Sequence, residues 1–274
     1  PEPIFLEQLE RCQVDYFDYY LLHNINENSI SVYKDEKWGI LDYFKKQKEL
    51  GKIKHLGFSC HCSVELLKDF LDYCGDAMEF CQIQLNYLDW TLQDGKAKYD
   101  LLTERNIPVY IMEPLRGGKL ADLSKEATAK LNALREDVTP VEWAFRFLLN
   151  LPNVRMILSG MSEFSQVKEN VEIFKNDKPL NETEINALLE VAETLKDSVP
   201  CTGCGYCLKD CPKELNIPFM ISIYNELKIQ KAVATRIRID ALPEEKQSTA
   251  CIGCGLCAQN CPQKIDVPTE LSNL

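Results

Sequence analysis

Eight cysteines between positions 201 and 261 carry the clearest chemistry in this chain. They form two copies of one motif. The first is Cys201-Thr-Gly-Cys204-Gly-Tyr-Cys207-Leu-Lys-Asp-Cys211-Pro212. The second is Cys251-Ile-Gly-Cys254-Gly-Leu-Cys257-Ala-Gln-Asn-Cys261-Pro262. Both read C-x2-C-x2-C-x3-C-P, a spacing that suits a [4Fe–4S] cube. Two intervening residues let one tight loop offer three thiolates to three corners of the cube. The glycines allow the backbone to approach the sulfides. The fourth cysteine lies too far along to close the same cube and is expected on the other one. The reading is therefore crossed: Cys201, Cys204, Cys207 and Cys261 on one cluster, Cys251, Cys254, Cys257 and Cys211 on the second. Zinc sites use two C-x2-C pairs rather than three cysteines followed by Cys-Pro, so iron–sulfur is the preferred reading.

The repeat runs beyond the cysteines. Leu215-Asn216-Ile217-Pro218 echoes Ile265-Asp266-Val267-Pro268 at an offset of fifty. Between the motifs, Phe219, Ile223 and Leu227, then Val233, Ile237 and Leu242, fall at helical spacing and predict two helices. Residues 199–274 thus resemble a helical two-cluster ferredoxin. The other five cysteines are scattered. In Cys60-His61-Cys62 the two thiols would share one face of an extended segment, with the imidazole opposite, so the three do not converge on one ion.

The elements before the cysteines alternate. Apolar runs at Tyr16–Asn24, Lys54–Ser59, Phe80–Asn86, Pro108–Glu113 and Val154–Ser159 read as strands. Helices are expected at 37–50, from Ser63 to about Tyr73, from a capping box at Thr139-Pro140-Val141-Glu142, after Ser162, and over 182–196 behind Asn181. Such alternation implies parallel βα units. No G-x-G-x-x-G follows a strand, which weakens the open dinucleotide-binding sheet. Polar residues at strand C-terminal ends (His23, Ser59, Glu113, Ser159) suit a barrel's active face.

The strings Asp15–His23 (DYFDYYLLH), Gly51–Ser59 (GKIKHLGFS), Gln82–Tyr87 (QIQLNY), Met112–Leu120 (MEPLRGGKL) and Glu169-Asn170, in this order, resemble the aldo/keto reductases, in the branch with a C-terminal ferredoxin domain. The resemblance implies an α/β fold: a (β/α)8 TIM barrel lacking about its first three βα units, then a small mainly α-helical ferredoxin-like domain. The expected division is 1–178 barrel (strands 4–8), 179–198 linker helix and 199–274 ferredoxin domain. The implied chemistry is hydride transfer between NADPH or NADH and a carbonyl or alcohol. His23 takes the position of the histidine that orients the carbonyl. Ser59 and Gln82 match the residues holding the nicotinamide amide. Met112 stands where relatives stack an aromatic ring, and Cys60 stands where an asparagine is common. Pro114, Leu115, Arg116 and Gly118 suit a pyrophosphate loop, with Gly160 and Ser162 a second anion site. Gln166 and Asn170 match adenosine contacts. The catalytic Tyr, Asp and Lys of the family cannot be assigned, so this chain alone is expected to be nearly inactive. An iron–sulfur electron-transfer or redox-sensing module on a repurposed barrel is the alternative.

Composition bounds the partners. The 274 residues carry 31 Lys and Arg against 42 Asp and Glu, a net charge of −11. Such a chain is a poor nucleic-acid binder. There is no run of eighteen apolar residues to span a membrane, and no visible secretory segment, which makes the cytoplasm the default. A small carbonyl or alcohol substrate and a redox partner protein are the expected partners.

Overall fold

The computed structural model describes residues 1–176, 178–196, 198–229 and 239–274. After α1 (Glu2–Cys12) come β1 (Phe17–Ile25), α2 (Ile30–Lys34), α3 (Ile40–Glu49), β2 (Ile53–Cys60), α4 (Val64–Cys74) and β3 (Cys81–Gln84). Then follow α5 (Asp89–Leu92), α6 (Gly95–Glu104), β4 (Val109–Met112), α7 (Lys125–Asn132), α8 (Pro140–Leu149), β5 (Val154–Ile157), α9 (Phe164–Lys175) and α10 (Glu182–Leu195). The cysteine-rich part holds α11 (Ile217–Ile229), α12 (Leu256–Gln259) and α13 (Val267–Ser272).

The five strands form one parallel sheet in the order β1-β2-β3-β4-β5. Strictly consecutive order is that of barrel staves; a doubly wound sheet reverses at a switch point. Alternation along β1 sorts its aromatics as the pleat requires. Tyr20 packs among Phe5 of α1 and Phe44 of α3. Tyr19, on the other face, stacks on His55 and meets Phe80 and Tyr110. Gly57 makes room for that inner layer: a Cβ there would lie 2.5 Å from the Phe80 ring.

Helix starts follow their cap residues. Ser63, Ser124, Thr139 and Asn181 accept hydrogen bonds from the backbone N–H groups of Leu66, Ala127, Glu142 and Glu184. Two expected caps differ. Glu142 does not complete a box with Thr139; its carboxylate takes the Arg146 guanidinium one turn on. Ser162 does not cap α9; Glu163 does, in a box with Gln166. The helix expected over 37–50 begins at Ile40, behind Gly39 in the left-handed region at φ 51°.

Two hydrophobic cores exist among the described residues. The larger lies between sheet and helices, and it includes Ala187, Leu188, Val191 and Ala192 of α10. The helix expected as a linker therefore belongs to the barrel's packing, and we propose the domain division after Lys196. The smaller core gathers Val199, Leu215, Ile217, Met220, Ile221, Ile265, Val267 and Leu271. Of the two helices expected between the motifs, the first is α11. The second, carried by Val233, Ile237 and Leu242, falls largely outside the described residues.

Candidate functional site

The cysteines gather in the crossed sets. Cys201, Cys204, Cys207 and Cys261 line one cavity, and Cys211, Cys251, Cys254 and Cys257 line another, each of about 20 Å³. The repeat is visible as local symmetry. Asn216 caps α11 through Phe219 N–H as Asp266 caps α13 through Thr269 N–H. Asp210 and Asn260, equivalent at the offset of fifty, hydrogen-bond each other at 2.7 Å. The backbone N–H of Lys264 donates to the Cys261 carbonyl at 3.0 Å, and that of Leu215 donates to Cys211 Sγ at 3.4 Å. Four thiols around each cavity fit a thiolate-bound cluster.

His23 sits at the C-terminal end of β1 and lines a third cavity of about 1090 Å³. Its carbonyl accepts from the Tyr33 hydroxyl at 2.7 Å, and the next residue, Asn24, donates its N–H to Ser59 Oγ at 2.8 Å. One side of this cavity is barrel: His23, Asn26, Glu27 and His61. The other is the second cysteine loop, including Cys261, Pro262 and Lys264. Lys264 closes onto Glu27 at 3.0 Å, and Asn28 donates to the Gln259 carbonyl at 3.1 Å. His61, expected opposite the two thiols of Cys60-His61-Cys62, was not expected beside His23. Cys60 and Cys62 are buried in the core, and the imidazole turns to the cavity instead. Burial, with Lys98 and His23 nearby, pushes its pKa down to about 4.

Seven expected cofactor contacts share a separate groove of about 280 Å³: Pro114, Leu115, Arg116, Gly118, Gly160, Gln166 and Asn170. Ser162 is not among its lining residues. Ser59 and Gln82 are register partners on β2 and β3, and the Gln82 amide donates to Met112 Sδ at 3.7 Å. These three line neither the groove nor the His23 cavity.

Arg116 is not free for a pyrophosphate. It is 1% exposed, and its Nε lies 3.0 Å from Asp89 Oδ1, with neither side chain exposed. Nη2 donates to Gln263 Oε1 at 3.1 Å. Asp89 also accepts from Gln84 at 2.8 Å and Asn86 at 2.7 Å. The groove's other charged residues are carboxylates, Glu113 and Glu169. Burial raises the pKa of Glu113, with Asp89 adding to the effect. The groove thus has room for the adenosine end of a dinucleotide, but its guanidinium is already paired with Asp89. Sequence reasoning missed Asp89 and Gln263. Their signals were an aspartate just past the third strand and the glutamine after the last Cys-Pro.

The pattern of the aldo/keto reductase family matches residues 2–193. The chain belongs to the aldo/keto reductase family. A 4Fe–4S dicluster domain pattern matches residues 200–265, so the reductase barrel is followed by an iron–sulfur domain. The chain is similar to the uncharacterized oxidoreductase YqkF of Bacillus subtilis, at 25% identity over 66% of this chain and 62% of that one. An aldo-keto reductase of Mycolicibacterium vanbaalenii is 30% identical over 61% of this chain and 54% of its own length. Among solved structures, the holo form of aldo-keto reductase AKR11C1 from Bacillus halodurans superposes with a TM-score of 0.56 at 22% identity, over 69% of this chain and 63% of that chain. The Klebsiella pneumoniae aldo/keto reductase in complex with NADP and acetate gives a TM-score of 0.53 at 20% identity, over 69% and 63%. This reductase chain thus spans about three fifths of its relatives' lengths. Its five strands form an α/β parallel sheet of the TIM-barrel type.

Proposed function

We propose that this chain is part of an oxidoreductase that transfers hydride between NAD(P)H and a small carbonyl or alcohol, with two [4Fe–4S] clusters, one of which shares Cys261 with the chamber wall. The observation that carries this reading is His23, at a barrel strand's C-terminal end, opening into the 1090 Å³ cavity. There an imidazole N–H can donate to a carbonyl oxygen and orient it. His61, held neutral by burial, adds a second imidazole without a second charge. Ser59, Gln82 and Met112 would face the nicotinamide amide. Gly118, Gly160, Gln166 and Asn170 would face the nucleotide. The nicotinamide supplies two electrons as hydride. Fluorescence titration of this chain with NADPH and NADH tests the reading. Saturable binding that weakens in Asn170→Ala is expected. No binding of either nucleotide would sink the hydride reading.

A second reading, an electron-transfer or redox-sensing module on a repurposed barrel, is favoured by one observation: Arg116 is bound to Asp89 in a groove whose other charged residues are carboxylates. Anaerobic mixing with NADPH separates the readings. Cluster bleaching supports an internal path from the nicotinamide. Clusters that bleach with dithionite but not with NADPH support the module.

A further inference from the structure

The two cysteine cavities match in volume and thiol number but differ in surroundings. The one holding Cys211, Cys251, Cys254 and Cys257 is bordered by residues of its own domain, and the cation there, Lys213, is exposed. The one holding Cys201, Cys204, Cys207 and Cys261 is pressed against the barrel at two points. Gly117 touches the residue after Cys201 so closely that a Cβ would lie 2.1 Å from the Thr202 carbonyl oxygen. Gln263, two residues past Cys261, is buried and fastened to Gln84, Gln93 and Arg116. Between these points lies the buried guanidinium. Its Nε faces Asp89 and its Nη2 faces the Cys261 loop, and Nη1 has no hydrogen-bond partner among the described residues. Arg116 therefore reaches from the carboxylate towards the cysteine loops and keeps one donor uncommitted.

Reduction of a [4Fe–4S] cluster adds one negative charge. Electrostatic effects on that step are large for buried charges and small for hydrated ones. We propose that Arg116 raises the reduction potential of the cluster held by Cys201, Cys204, Cys207 and Cys261 above that of its twin, with Asp89 and Gln263 as the residues that position the guanidinium. The higher-potential cluster is then the one whose Cys261 also lines the His23 chamber. An electron shared by the pair rests beside the barrel mouth.

This rests on assigning the two thiol sets to two clusters. The test is an anaerobic potentiometric titration of the whole chain, reconstituted with iron and sulfide and followed by EPR. A Cys204→Ser variant identifies which signal belongs to the first cluster. Arg116→Gln should lower the midpoint of that cluster and leave the other unmoved. Arg116→Lys should restore most of the shift, and Asp89→Asn should move the same midpoint upward. The double variant Arg116→Gln/Asp89→Asn leaves no orphan charge behind, so it guards against misfolding. It should lower the midpoint by less than the single change. Unmoved midpoints, equal shifts in both clusters, or the same direction for Arg116→Gln and Asp89→Asn would overturn the proposal. Failure of the unsubstituted chain to give two cluster signals would instead overturn the assignment beneath it.

Discussion

Gln84 and Gln263 exchange two amide hydrogen bonds, 3.0 Å in one direction and 2.6 Å in the other, joining a barrel strand to the last cysteine loop. Both side chains are buried. The pair is therefore a buried polar interface, whose donors and acceptors are costly to leave unmade.

Gln263→Leu should leave Gln84 Oε1 and Arg116 Nη2 without partners, while Gln84 Nε2 keeps its bond to Asp89. Each orphaned buried group costs about 1–3 kcal/mol, so a loss of roughly 3 kcal/mol in docking stability is expected. Denaturant titration followed by the clusters' visible absorbance checks it. A midpoint equal to that of the parent would exclude this interface role.

Adjacent glycines should respond differently. Gly117→Ala places a Cβ against the Thr202 backbone, whereas Gly118→Ala meets nothing within 4 Å. Both glycines have positive φ, 64° and 88°. The second change should cost about 1 kcal/mol through backbone conformation alone. The first adds a clash with backbone and should cost several-fold more and loosen the Cys201 loop. Comparing the two melting temperatures and iron contents decides it.

The crossed ligand sets predict which substitutions behave alike. Cys211→Ser should alter the same EPR signal as Cys254→Ser, and Cys261→Ser the same signal as Cys204→Ser. If Cys211→Ser altered the signal that Cys204→Ser alters, each cluster would be held by one contiguous motif.

His61 gives a pH dependence with a fixed sign. Its folded pKa is pushed down to about 4 by burial, below the ordinary value near 6.5. The unfolded chain therefore takes up the proton first. Its contribution is complete above about pH 6.5 and declines as pH falls towards 4, by about 3 kcal/mol. Urea unfolding at pH 7, 5.5 and 4.5 should show this slope. The slope should flatten in His61→Gln.

The elements were legible where local chemistry decides them. Ser63 and Asn181 cap their helices as a side-chain oxygen before an amphipathic run must. The paired cysteine motifs carry their own spacing rule, and the offset of fifty reappears as the Asp210–Asn260 contact. Partners distant in sequence could not be read. Arg116 looked like a phosphate ligand because a glycine loop follows it. Its actual partners are 27 residues before it and 147 residues after it. Helix α10 looked like a connector because it precedes the cysteines, yet its apolar stripe is claimed by the barrel core. Pairwise contacts across a fold leave no periodic trace in the chain.

Cys261 borders two spaces at once, its own thiol-lined cavity and the hollow at His23. On the proposed function, one short loop is therefore both a grip on metal and a panel of the reaction vessel. Whatever unseats that loop, oxygen and chelators included, also breaches the vessel. The protein cannot lose the first without remodelling the second.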